Sequence, residues 1–357
     1  MLIIDAHLDL ALNALQLNRD LLVSAHTIRT HELSTPGKGR AKATTALPDM
    51  RRGRVALSIV TAVAKASGHP IPHLDFRSAT QTYAIAQGHL AYYRALEEEG
   101  HLRVVSDRAG LDESWAAWER WEAGGAVAPP PPLGVIFSME CADAVLDPEQ
   151  LEAWYQAGLR LIGPTHFGPG RYAGGTGSEL GLTERGPALL KEMERLGIAL
   201  DMSHTSDQTF WESLEHYQGP ILASHNDCRA LVPNKRHLTD AMIEAIVERD
   251  GVIGATLGNW QLHRGWDVGK AHDFEVTLED LVDHIDHICQ LAGNALHVGI
   301  GSDLDGGVGF DEFPAEIDTV DDMQMIPAAL AARGYGDDDI RGIMHGNWLR
   351  FLRRIWS

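Results

Sequence analysis

The chain has little cysteine and little positive charge, and it lacks any long apolar run. Its 357 residues include 3 cysteines, Cys141, Cys228 and Cys289, too far apart to form a C-x-x-C pair. That spacing argues against a disulfide framework and a thiolate metal site, and it suits a reducing compartment. Lys and Arg number 30 against 50 Asp and Glu, a formal net charge of -20 at pH 7. A field of that sign repels nucleic-acid phosphates and anionic membrane surfaces, so neither is an expected partner. No stretch approaches the roughly 18 to 20 apolar residues that span a bilayer. The opening run Met1-Leu-Ile-Ile-Asp-Ala-His7 is too short for a secretory signal and has no basic leader, which makes the cytoplasm the expected location. Neither an internal repeat nor a domain boundary is visible, so a single domain over 1–357 is expected.

What is present is an alternation. Hydrophobic residues at 44% and charged residues at 22% place the chain with globular proteins rather than disordered ones. Short Val-, Ile- and Leu-rich runs at 2–6, 55–62, 133–138, 160–165, 198–203, 220–224, 252–257 and 297–302 read as strands buried on both faces. Helical segments are expected between them at 77–99, 147–157, 183–195, 206–217, 239–249 and 277–291, the last opening on the cap signal Thr277-Leu-Glu-Asp. Eight strands alternating with helices predict an α/β fold of the (β/α)8 barrel type. Residues 100–132 depart from the pattern, with Leu102-Arg-Val-Val-Ser, then Trp115, Trp118 and Trp121, then four prolines at 129–132. They are expected to form an insertion between the second and third barrel strands, with the prolines as a stiff connector. Helices at 323–333 and 337–353 would complete the barrel.

Titratable residues collect at one end of these runs: Asp5-Ala-His7-Leu-Asp9, Ser138-Met-Glu140, Pro164-Thr-His166, Met202-Ser-His204, Ala223-Ser-His225 and Gly301-Ser-Asp303. In a barrel the C-terminal ends of the strands converge on one funnel, so six strands aim at one cavity. His7 and Asp9 are two apart and project to the same side of an extended strand. Three histidines (His7, His204, His225) and two carboxylates (Asp9, Glu140) are too few for two separate four-coordinate sites, unless one carboxylate bridges and water fills the open positions. Glu140 is the natural bridge. Simpler roles stand beside these: Asp303 as a residue of the Gly-rich turn, and Arg236 as a surface charge near Lys235 and Arg229. Other histidines, among them His26, His31, His69, His73 and His237, are expected to be solvated or locally bonded.

The motifs taken together, with Lys235-Arg236 and Gly299-Ile-Gly-Ser-Asp303-Leu-Asp305-Gly, resemble the membrane dipeptidase (renal dipeptidase) family of the amidohydrolase superfamily, in the same order from residue 2 to about 350. The resemblance implies a metallo-dipeptidase with two zinc ions per chain: His7, Asp9 and Glu140 around one, Glu140, His204 and His225 around the other. It further implies a metal-bridging hydroxide as nucleophile, His166 as the contact to the scissile carbonyl oxygen, Arg236 as the clamp on the substrate carboxylate and Asp303 as the proton-transfer residue. A free dipeptide, with tolerance for a D-residue at its C-terminal position, is the implied substrate, and a homodimer the expected assembly. Hydrolysis of N-acyl amino acids or cyclic amides on the same metals is the alternative activity, and a non-catalytic barrel is a third reading. Leu8 stands where the family has a polar Asn, Cys141 where it has Gly, and the loop Phe167-Gly-Pro-Gly-Arg-Tyr-Ala-Gly-Gly-Thr-Gly differs from the usual sequence. These departures touch pocket-shaping loops rather than the metal ligands.

Overall fold

Aliphatic and β-branched runs form strands where both faces can be buried. The computed structural model describes residues 1–68 and 73–356, so His69 lies outside the described residues. Its strands are β1 (Ile3–Leu8), β2 (Val55–Ala62), β3 (Leu102–Val104), β4 (Leu133–Met139), β5 (Leu159–Ile162), β6 (Ala199–Asp201), β7 (Ile221–Leu222), β8 (Ile253–Ala255) and β9 (Val298–Ile300). All pair in parallel, in the order β7-β6-β5-β4-β2-β1-β9-β8. The ring closes where the chain leaves β7. There Ala223 bridges Ile253, with Ala223 N–H donating to Val252 O at 3.0 Å and Gly254 N–H donating to Ala223 O at 2.8 Å. The eight apolar runs expected to form a (β/α)8 barrel are the eight that form it.

β3 is the strand the alternation did not anticipate. It lies in the insertion between the second and third barrel strands and pairs with the first half of β4, Leu102 opposite Leu133 and Val104 opposite Val135. The short β5 begins only opposite Phe137. β3 therefore occupies backbone donors and acceptors along an edge that would otherwise stay open. The insertion continues as the helix Arg108–Ala123, whose Trp118 is fully buried. The indole N–H of Trp118 donates to Pro132 O at 3.1 Å and that of Trp121 to Ala128 O at 2.7 Å, which ties the proline connector to this helix.

The helices begin on the caps that the sequence offers. Ser78, Ser206 and Thr239 accept from the backbone N–H of Gln81, Thr209 and Met242, and Thr277 forms a capping box with Asp280. The expected closing helix over 337–353 is instead broken into Asp337–Arg341, a π turn at Gly342–Gly346 and Asn347–Ile355. The extra residue in that turn rotates the last segment. Asn347 then donates to Ala295 O and Val298 O, both at 2.7 Å, and the Trp348 indole to Ile300 O at 3.0 Å. No helix among the described residues is long and apolar enough to cross a membrane. Cys141, Cys228 and Cys289 are buried and unpaired.

Candidate active site

Parallel strands deliver their C-terminal ends to one rim, and the side chains there meet around Glu140. Its Oε1 lies 3.6 Å from His7 Nε2, 3.4 Å from His166 Nε2, 3.1 Å from His204 Nε2 and 3.4 Å from His225 Nε2. His7 Nε2 is also 4.0 Å from Asp9 Oδ2 and 3.9 Å from Asp303 Oδ1. His204 Nε2 and His225 Nε2 are 3.1 Å apart, and the His7 and His225 rings stack with centroids 3.6 Å apart. All seven residues predicted at strand ends thus share one site.

Burial makes this cluster electrostatically costly. It pushes the Asp9 carboxyl up to about 7, helped by the Glu140 charge, and Glu140 up to about 8 against the pull of Arg236. Asp303 is held well above the ordinary carboxylate range by burial and by Asp9 and Glu140. His7, His204 and His225 are held far below the usual imidazole range, chiefly by burial, and His166 is brought down to about 3 by burial and the Lys65 ammonium. A neutral imidazole has one N–H and one lone pair, and a carboxylate oxygen, an acceptor, leaves any lone pair turned toward it unsatisfied. His7 Nε2 is buried with no hydrogen-bond partner. Convergent nitrogen and oxygen donors without thiolate suit a borderline divalent cation, which would also neutralise the buried carboxylates.

Three ligand sets lie within 4.8 Å: His7 with Glu140 and His225, Glu140 with His166 and His204, and His7 with Asp9 and Asp303. These overlap the expected pairs of ligand sets without reproducing their division. His225 falls with His7, and His166 lies as close to Glu140 as the expected ligands do, because Glu140 Oε1 is central to all four rings.

Beneath the cluster, buried aspartates clasp neighbouring strand ends. Asp5 accepts from the Ser302 N–H at 2.8 Å and the His7 N–H at 3.2 Å, joining β1 to the end of β9. Asp201 Oδ1 accepts from Ser203 N at 3.0 Å and Ser224 N at 2.9 Å, joining β6 to β7. Asp227 accepts from Thr256 N at 3.3 Å, joining the loops after β7 and β8. The loop after β9 also turns sharply, Asp303 and Asp305 adopting φ of 58° and 67°, and after β6 His204 adopts one of 63°. Left-handed backbone at non-glycine residues costs on the order of 1 to 3 kcal/mol each, and the His204 and Asp303 side chains held this way border the cavity. Asp305 belongs to the turn, as expected, but its carboxylate is fully buried and accepts from Thr44 N, Thr45 N and Arg19 Nη1 at 2.9, 2.7 and 3.2 Å.

A cavity of about 520 Å³ opens above the cluster, bordered by Asp9, Glu140, His166, His204, Arg236 and Asp303 and walled by apolar groups such as Leu74, Phe167, Trp260 and Phe313. Arg236 is no surface charge. It is 3% exposed, its Nη2 donates to His225 O at 2.8 Å, and its buried Nη1 has no hydrogen-bond partner. Three further residues went unpredicted. Trp260 and Phe313 follow no spacing rule that would single them out, and Lys65, 1% exposed, looks like any basic residue after a strand.

A closed parallel barrel with buried imidazoles and carboxylates gathered at its C-terminal rim defines the chain as a metallohydrolase-type enzyme. The family model described as Membrane dipeptidase (Peptidase family M19) matches residues 1–356, and the chain belongs to that family. An uncharacterized protein in the pqqA 5' region of Klebsiella pneumoniae is 33% identical over 215 residues, 58% of this chain and 76% of that protein. Dipeptidase verJ of Clonostachys rogersoniana is 30% identical over 260 residues, 71% of this chain but only 62% of its own length. A metallo peptidase structure from Rhodobacter sphaeroides, liganded with a phosphinate mimic of the dipeptide L-Ala-D-Ala, is similar at a TM-score of 0.78 and 26% identity, covering 100% of this chain and 99% of its own.

Proposed function

We propose that the chain, as one barrel domain over 1–357, is a zinc dipeptidase that hydrolyses free dipeptides, including those with a C-terminal D-residue, and that it works as a homodimer. Two ions would be held by His7, Asp9, Glu140, His204 and His225, with Glu140 shared. The observation that carries the reading is Arg236: a buried guanidinium whose Nη1 is unpartnered, on the cavity that also holds Glu140, His166 and Asp303. Its planar fork matches a substrate carboxylate. The mimic bound by the Rhodobacter sphaeroides relative supports a dipeptide with this stereochemistry.

When bound, the ions would acidify water from a pKa of about 15.7 toward 7 and polarise the scissile carbonyl. The chain's own groups do the rest. Arg236 anchors the carboxylate and so sets the register of the peptide bond over the cluster. His166 faces the carbonyl oxygen and stabilises charge as it develops there. Asp303, whose carboxyl is pushed above the ordinary carboxylate range by burial and by Asp9 and Glu140, carries a proton to the leaving amine.

A two-by-two comparison tests this: parent and Arg236→Met against a dipeptide and its C-terminal amide, with N-acyl amino acids run alongside. Leaving a buried charge without its partner costs about 2 to 5 kcal/mol. The amide should therefore lose roughly thirty-fold to several thousand-fold in kcat/KM with the parent. Arg236→Met should lose as much on the free dipeptide and little more on the amide, since both changes break one contact. Additive losses, or equal parent rates on acid and amide, would remove Arg236 as the carboxylate reader and favour hydrolysis of other amides.

A further inference from the structure

His166 lacks the support that usually aims a catalytic imidazole. A hydrogen bond at the second ring nitrogen commonly fixes tautomer and orientation. Here Nδ1 of His166 is buried and has no partner. Its orientation must come from ring packing and from the main chain that carries it. The Phe167 ring meets His166 edge-on with centroids 4.9 Å apart and meets His204 at 5.0 Å. Behind them the chain folds back, with Thr176 N–H donating to His166 O at 3.0 Å and Gly168 N–H to Thr176 O at 2.9 Å. A Cβ at Gly175 would overlap the His166 carbonyl oxygen, so only glycine allows this close return.

A further hold on this loop is a charged one. Lys65, 1% exposed just past β2, donates from Nζ to Phe167 O at 2.9 Å and to Ser67 Oγ at 3.0 Å, with Asp75 Oδ2 3.9 Å away. Its own backbone is pinned on both sides, Lys65 N–H donating to Leu74 O at 3.0 Å and Phe76 N–H to Lys65 O at 2.7 Å. Stability alone does not favour such an arrangement. Burying an ammonium is expensive, and an apolar side chain of similar volume is often neutral or better.

We propose that Lys65 is a positioning residue for His166: by gripping the Phe167 carbonyl it holds the Phe167 ring, and through it the imidazole, in the orientation that meets the scissile carbonyl oxygen. The proposal rests on the role assigned to His166 above. A misplacement of about 1 Å at a reacting group can cost on the order of 100-fold in rate. Lys65→Met should therefore lower kcat about 10- to 100-fold, with KM within about threefold and bound metal unchanged.

The decisive measurement is a cycle in the loaded enzyme with His166→Ala, since residues acting through one contact do not add. In the His166→Ala background, Lys65→Met should cost less than about threefold more. Should Lys65→Met fail to fold, Lys65→Ala, which also removes the donor to the Phe167 carbonyl, carries the same cycle. A kcat within about twofold of the parent, an undiminished loss in the His166→Ala background, or loss of metal from Lys65→Met would each overturn the proposal. If His166→Ala itself keeps parental turnover, the assigned role of His166 falls and this proposal with it. If His166→Ala is crippled and Lys65→Met is not, this proposal alone falls.

Discussion

Chelation of the purified protein is expected to abolish hydrolysis while leaving the barrel folded. The candidate ligands hang from the ends of four strands, β1, β4, β6 and β7, and take no part in the apolar core. Elemental analysis of a fully active sample should find two divalent ions per chain. His204→Ala should lose metal together with activity. One ion or none in an active, fully loaded sample would sink the two-ion arrangement. Loading should also stabilise, by about 2.7 kcal/mol for each ion present at 100 times its dissociation constant.

The stabilisation has a defined pH dependence. Without ions, burial holds Asp9 up to about 7 and Glu140 up to about 8. Above a pH of about 7.5 the site histidines are nearly all neutral in both folded and unfolded chains, so the carboxyls distinguish the two states. The unfolded chain has already released those protons and the folded one has not, so ion-free stability falls as pH rises from about 7.5 to 9. The loaded protein holds its ligands deprotonated and should not show that fall. Thermal midpoints of both forms at pH 7.5 and 9 decide the matter; a gap that narrows at pH 9 contradicts it.

Asp303→Asn is expected to keep both ions and lose about 10²- to 10⁴-fold in kcat, the usual worth of a positioned acid or base. The two side chains have the same shape, and Asn tolerates the left-handed backbone at φ 58°. The exchange therefore removes a titratable proton and little else. The side chain is 26% exposed, 3.9 Å from His7 Nε2, and its carboxyl is pushed above the ordinary carboxylate range by burial and by Asp9 and Glu140. This mutant should differ in kind from His204→Ala: one is loaded and slow, the other empty. Near-parental turnover by Asp303→Asn would return the residue to a purely conformational role in its turn.

The site was legible in the sequence to the extent that position along a strand decides function. His7, Glu140, His204 and His225 each end a short apolar run, and a parallel barrel leaves such residues one place to meet. Arg236 was legible as a residue type but not as a buried one, because the loop that covers it carries no periodicity. Lys65, Asp201 and Asp227 were opaque: their roles depend on a backbone group many residues away. The broken closing helix was hidden for the same reason, since Asn347 and Trp348 answer to β9 rather than to their own helical neighbours. β3 was missed because three residues make too short a run to register as a strand.

The closure between β7 and β8 makes the barrel a hoop of uneven strength. On one side β1, β2 and β4 run 6, 8 and 7 residues. On the other β7 has 2 residues and meets β8 through one bridge. Warming should spring the hoop at this joint while the long staves still hold. His225 follows β7 at that joint, and His204 follows its neighbour β6. The enzyme would then fail by letting go of its metal grip before it loses its shape, and cooling in the presence of fresh ion would restore it.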